Sequence, residues 1–216
     1  MQYVEDPPND FIVKAGQHAE EPFLDIRNMT VDYDESADKI LVAAHFYATL
    51  PLGGPNESNG NSSVYYYLCN FETGINVTID QVAVVLEAND NWDSASLTTT
   101  VRGNTYDGTA SPVKYIVKND TMIFSIPAFI SVWGERPKQL IIRIEAGYEH
   151  YPTTNPVQPD AVYYDNAPDQ GAVTFDIPVA PFNLVPVVVV IGIVVASVIG
   201  TWRMLRRTLR KSRKNR

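Results

Sequence analysis

The chain has 216 residues, 45% of them hydrophobic, with a formal charge of −8 and one cysteine. That length and apolar content fit one packed domain plus a short extra segment, and they exclude wholesale disorder. A lone Cys69 excludes an intrachain disulfide framework and multi-cysteine zinc patterns, and three histidines (His18, His45, His150) argue against a His-rich metal site.

Residues 1–22 read as an N-terminal segment. Its opening, MQYVEDPPNDF, is acidic and has none of the apolar h-region of a signal peptide. Residues 23–177 read as one all-β domain, because period-2 alternation recurs between turn clusters. Phe23–Tyr33 and Lys39–Leu50 flank the turn Asp34-Glu35-Ser36-Ala37-Asp38, and Ile40, Val42, Ala44, Phe46 and Ala48 share one face of the second run. A loop of turn formers, Gly53 to Asn61, follows. Further strands are predicted at Val64–Phe71, Val77–Leu86, Ser96–Arg102, Val113–Val117, Thr121–Ile126, Gln139–Ala146 and Val173–Ile177, with Asn119-Asp120 as a two-residue hairpin turn. Residues 148–171 hold four prolines and read as a long loop. Short strands in this number predict a two-sheet antiparallel sandwich, Ig-like or jelly-roll-like.

Residues 178–183 form a short juxtamembrane linker stiffened by Pro178 and Pro181. Residues 184–202, LVPVVVVIGIVVASVIGTW, carry no charge. As a helix they would cover about 28 Å, the thickness of a bilayer hydrocarbon core. One C-terminal transmembrane helix is therefore predicted, with Pro186 in its first turn and Trp202 at an interface. Gly192, Ala196 and Gly200 are spaced by four and would offer a face on which a second helix could pack.

The charge is polarised. Nine of the 17 basic residues and all 25 acidic ones lie in residues 1–182, a net charge of −16; the other eight basic residues crowd into residues 203–216. By the positive-inside rule this tail stays cytoplasmic and the acidic body faces outward, at the plasma membrane. Beside a span, such a tail reads as a stop-transfer anchor for anionic lipid rather than a nucleic-acid contact. The outward body then requires a translocation signal, removed or encoded ahead of Met1. Sequons at Asn28, Asn56, Asn61, Asn76 and Asn119 support the same sidedness, since 15 Asn and 26 Ser or Thr would give about two by chance.

Candidate sites are few. Asp32, Asp34 and Asp38 lie in or beside one hairpin turn; Asp6 and Asp10 frame Pro7-Pro8-Asn9; Asp160, Asp165 and Asp169 are spread through the late loop. Oxygen-rich turns of this kind suit Ca2+, with Asp32, Asp34 and Asp38 the first choice, although none has EF-hand spacing and solvated acidic turns would look the same. No other cofactor is implied. Tyr148, Tyr151, Tyr163 and Tyr164 crowd the late loop and could stack on a sugar ring or anchor a protein ligand. No G-x-S-x-G, H-E-x-x-H, P-loop or post-strand G-x-G-x-x-G occurs, and Cys69 sits in an apolar run, so no enzyme is predicted.

The layout resembles that of archaeal single-pass cell-surface proteins. Within it DPPND, PFLDIRNMTVDY, TMIFSIP and YYDNAPDQG look like β-sandwich ectodomains loosely similar to the carbohydrate-binding and DOMON-like class, over residues 6–177. That resemblance implies a glycan or haem ligand; no Met/His pair can be assigned here, so haem is not carried over. The expected function is a surface binding or adhesion module for glycan or protein. The alternative is a structural or accessory subunit held in an envelope complex through the Gly192, Ala196, Gly200 face.

Overall fold

A computed structural model describes residues 1–16, 21–57, 60–74 and 79–179. Thirteen strands account for most of them: β1 (Gln2–Glu5), β2 (Ile12–Ala15), β3 (Ile26–Asp34), β4 (Lys39–Phe46), β5 (Ser62–Glu72), β6 (Asp80–Glu87), β7 (Ser96–Val101), β8 (Asn104–Asp107), β9 (Lys114–Lys118), β10 (Thr121–Pro127), β11 (Gln139–Tyr151), β12 (Ala161–Ala167) and β13 (Val173–Asp176). Two single-turn 3-10 helices, Gly108–Ala110 and Ser131–Trp133, are the only helical segments among the described residues. The all-β reading holds.

The strands form two antiparallel sheets. One has the order β1-β3-β4-β10-β9. The other runs β2-β12-β11-β5-β6-β7-β8, with β13 also paired to β11. β11 is the spine of the larger sheet. Eleven of its 13 residues, Ile141 to Tyr151, pair with β5 along one edge, while β13 and then β12 share the other.

Alternation explains why the sheets pack. Val42, Ala44 and Phe46 of β4 and Met122, Phe124 and Ile126 of β10 turn inward from the smaller sheet. Tyr67, Cys69 and Phe71 of β5 and Leu140, Ile142 and Ile144 of β11 meet them from the larger one. Between the sheets the Phe46 and Tyr67 rings meet edge to face at 5.6 Å. Each fully buried side chain of this size contributes about 1.5–3 kcal/mol. Cys69 is buried in this core, which pushes its thiol pKa up and keeps it in the thiol form.

Every strand predicted from alternation is present, with ends shifted by a few residues. The 33–39 hairpin forms, with Asp34 opposite Lys39, as does the Asn119-Asp120 turn, where Asn119 takes a φ of 53°. Two expectations need correction. The stretch 148–171 is not one loop: β11 extends to Tyr151 and β12 occupies Ala161–Ala167, so the prolines flank a strand pair. Residues 1–22, expected ahead of the sandwich, are partly built into it. β1 adds to the edge of the smaller sheet at β3 and β2 to the edge of the larger sheet at β12.

Residues Met1–Val179 form one unit. Among the described residues no helix is long and apolar enough to cross a membrane. The apolar stretch 184–202 with Gly192, Ala196 and Gly200, the basic tail and the sequon Asn76 lie outside the described residues.

Candidate functional site

Strand pleating divides the four tyrosines between the two faces of the larger sheet. Tyr148 and Tyr163 are cross-strand partners and face the interior. Their ring centroids are 5.2 Å apart, Tyr65 lies 5.8 Å from Tyr148, and Tyr163 is only 1% exposed. The Tyr163 hydroxyl donates to Glu21 Oε2 at 2.7 Å. Tyr151 and Tyr164 fall on the opposite, outer face by the period of two. The Tyr151 hydroxyl donates to Glu149, a contact that raises its pKa to about 12.

That outer face carries a trough. At one end a depression of about 410 Å³ is lined by Lys14, Tyr66, Leu68, Glu145, Glu149 and Tyr164, among others. A second depression, of about 530 Å³, continues along the same strands past Asn70, Gln81, Thr100, Ile141 and Arg143. The two depressions lie one after the other along β5, and their lining residues, 64 to 72, span about 26 Å at the usual rise of an antiparallel strand.

Gly147 shapes its floor. A Cβ there would stand 2.5 Å from Tyr66 Oη and 2.6 Å from Tyr164 Cβ. The missing side chain is the space into which the Tyr66 ring lies across β11. Tyr66 is thereby 8% exposed, and burial, then the charges of Glu145 and Glu149, raise its pKa. Burial likewise raises Glu145, against the Tyr66 hydroxyl that lowers it. Lys14 Nζ stands 4.7 Å from the centroid of the Tyr164 ring. In the second depression Gln81 Nε2 donates to Asn70 Oδ1 at 2.8 Å, which sets two amides side by side.

Four aspartates meet where the two sheets come together. Asp6 and Asp10 belong to the crossing from β1, in the smaller sheet, to β2, in the larger; Asp165 is on β12 and Asp169 just beyond it. One carboxylate oxygen from each lies within 4.8 Å of all the others. The turn through Pro7-Pro8-Asn9 closes because Asn9 takes a φ of 61° and donates its N–H to Asp25 Oδ2 at 2.9 Å. Asp165 bridges the sheets by accepting the Ile26 N–H of β3 at 2.6 Å, and it accepts the Asn166 N–H at 2.7 Å.

Asp6 is 4% exposed, yet neither of its carboxylate oxygens has a hydrogen-bond donor. Burial, then the charges of Asp169 and Asp10, push its pKa up to about 8. Burial also raises Asp165 and Asp10 above the usual carboxylate range. Asp169 is exposed and leaves the cluster open to solvent on its side.

The aspartates favoured for a cation in the sequence go elsewhere. Asp32 pairs with the Met1 ammonium at 3.2 Å. Asp34 caps its own turn through Ser36 and Ala37. Asp38 takes both guanidinium nitrogens of Arg136 at 2.7 Å and the Tyr33 hydroxyl at 2.6 Å, and Arg136 holds its carboxyl below the usual range. Among the described sequons, Asn56 and Asn119 are exposed and Asn28 is buried on β3. Asn61 Oδ1 accepts from the N–H and hydroxyl of Thr153 at 3.1 and 2.9 Å.

The meeting of Asp6 and Asp10 with Asp165 and Asp169 was missed in the sequence. The available signal is a repeated spacing: DPPND and DNAPD each set two aspartates four positions apart around a proline and an asparagine. No protein-family profile, no curated protein and no solved structure matches the chain. Its function has to be read from these residues.

Proposed function

We propose that the chain is a membrane-anchored, outward-facing β-sandwich module that binds a glycan in the trough on the outer face of its larger sheet. The single observation that carries this is the trough's composition. Aromatic and aliphatic surface from Tyr164 and Leu68, above the buried Tyr66, lies beside Glu145, Glu149 and Lys14, and then Asn70, Gln81, Thr100 and Arg143. A sugar ring has apolar C–H faces and a rim of hydroxyls. Tyr164 offers the first a flat partner, while carboxylates, amides and a guanidinium give the second both donors and acceptors. A protein ligand is better served by a deeper apolar pocket for an anchor side chain. Anchoring rests on the uncharged run 184–202, and outward sidedness on the charge polarity across it.

The test is a glycan array probed with the full chain in detergent, comparing wild type with Tyr164→Ala, Glu149→Gln and Arg143→Ala. We expect a defined glycan class to be retained and each substitution to weaken it at least tenfold. Tyr3→Ala, on β1 of the other sheet, should leave binding intact. An empty array, or binding indifferent to all three trough substitutions, overturns the reading. Three variants are used so that a folding defect in one does not decide the outcome.

A further inference from the structure

Independently of the trough, we infer that Asp6, Asp10, Asp165 and Asp169 form a Ca2+ site that ties the N-terminal strands to the edge where the two sheets meet.

Spacing is the first ground. Two oxygens bound to one Ca2+ at about 2.4 Å can be at most about 4.8 Å apart. Four carboxylate oxygens, one from each residue, satisfy that limit pairwise. The ligand type is right for a hard cation, and all four ligands are oxygens.

The second ground is the state of Asp6. Its side chain is nine-tenths buried and more, it reaches into the cluster, and neither oxygen meets an N–H or hydroxyl donor, its one side-chain hydrogen-bond partner being the carboxyl of Asp169 in the same cluster. Elsewhere the protein handles its acids differently. Asp80 is 2% exposed, but it accepts the Arg102 N–H at 2.7 Å and the Trp133 indole N–H at 3.3 Å. A carboxylate buried without a donor costs several kcal/mol unless it is neutralised or coordinated. The groups that act most on Asp6 are themselves acids, Asp169, Asp10 and Asp25, with Asp169 also at hydrogen-bond distance. A bound cation supplies what the fold withholds. Asp10 Oδ1 is likewise buried without a donor.

Placement gives the ion a role. Asp6 leaves β1 and Asp10 leads into β2, which pairs with β12 beside Tyr163 and Tyr164. An ion shared with Asp165 and Asp169 would hold the crossing strand, and with it Lys14, against β12. Solvent reaches the cluster past exposed Asp169, so the ion has a way in.

The experiment strips the full chain with chelator in detergent at about physiological salt, then titrates Ca2+ by calorimetry and follows thermal unfolding. We expect one Ca2+ per chain, with a dissociation constant of about 10⁻³ M or tighter as for extracellular modules, and a rise in unfolding temperature that grows with Ca2+ concentration. Asp6→Asn and Asp169→Asn should each weaken binding at least tenfold. Asp34→Asn, an aspartate that caps its own turn, should not. Asp6→Asn relieves repulsion among the acids and should fold at least as well without metal; exposed Asp169 gives a second variant that the core does not depend on. A wild-type chain with no heat and no shift overturns the inference, as do cluster variants that bind like wild type. Loss of binding in Asp34→Asn equal to that in the cluster variants would mean diffuse attraction to the acidic body. Occupation by Mg2+ with no response to Ca2+ overturns the choice of ion.

Discussion

His45 shows how a single titratable residue is set by its neighbours. It lies on β4, with Nδ1 2.9 Å from Thr121 Oγ1 on β10, beside the Arg27–Asp120 ion pair. Burial first, then the Arg27 charge, lower its pKa below the ordinary 6.5, against the opposite pull of Asp120. The sign follows from linkage. As pH falls through 6.5 the unfolded chain takes the proton more readily than the folded one, so stability drops. The loss is complete once pH lies below the folded-state pKa. Wild type should therefore lose more unfolding temperature than His45→Gln between about pH 7.5 and pH 5. Parallel curves for the two proteins would show that His45 has no such role. The difference between proteins is the readout, because protonation of Asp6 over the same range works in the other direction.

At the level of single residues the sequence showed chemistry but not company. Asp6 and Asp10 were visible as a pair, whereas Asp165 and Asp169 stood with Asp160 only as acids spread through the late loop. Their meeting depends on β1 and β2 joining different sheets, a fact of topology that local spacing does not contain. Asp32, Asp34 and Asp38 looked the better site because they are close in sequence. Each is already engaged by a different partner: Asp34 by its own turn, Asp32 by the Met1 ammonium and Asp38 by Arg136 and Tyr33.

Strands were legible where alternation ran long enough to count. β5, β6, β10 and the first half of β11 keep one apolar face through several repeats, so period and boundaries agree with the structure to within a few residues. β1, β2 and β8 have four residues each and lie at sheet edges, too short for a period and half-exposed. β12 was hidden for another reason. Pro152, Pro156 and Pro159 lie in the connection from β11, and Pro168 follows the strand, so the prolines that suggested a loop only bracket AVYYDNA. At the centre of this strand system, Gly147 leaves no room for a side chain. Gly147→Ala brings a methyl to 2.6 Å from Tyr164 Cβ, a backbone-rooted atom that no rotamer change can move, and to 2.5 Å from Tyr66 Oη. Overpacking of this kind costs about 1–3 kcal/mol. Urea unfolding should show that loss with an unchanged slope, and Tyr66→Leu in the same chain should recover little of it. Wild-type stability for Gly147→Ala would mean that β11 and β12 can part at this point.

For the whole molecule, sidedness and fold can be tested with one modification. The chain pairs a body of net charge −16 with a tail of eight basic residues across an uncharged stretch. If that stretch spans a membrane as proposed, such a tail would be attracted to anionic headgroups by about 1 kcal/mol per basic residue, which would favour the inner leaflet. If the body faces outward it passes the glycosylation machinery, and the fold then decides which sequons can carry a glycan in the finished protein. Asn119 sits at the tip of the β9–β10 hairpin and Asn56 in the connection between β4 and β5, both exposed. Asn28 is 8% exposed, on a strand paired on one side with Glu5 of β1 and on the other with His45 of β4. A glycan there would have to displace a neighbouring strand. In a glycosylating host, peptide mapping of the folded, monodisperse fraction should find sugar at Asn119 and Asn56 and none at Asn28. Protease added to intact cells should remove the same residues. A body that carries no sugar and resists that protease would place it on the other side of the membrane. Sugar on Asn28 in the folded fraction would mean that β1 does not hold its place at β3, and the Ca2+ site, which needs Asp6 at the end of that strand, would fall with it.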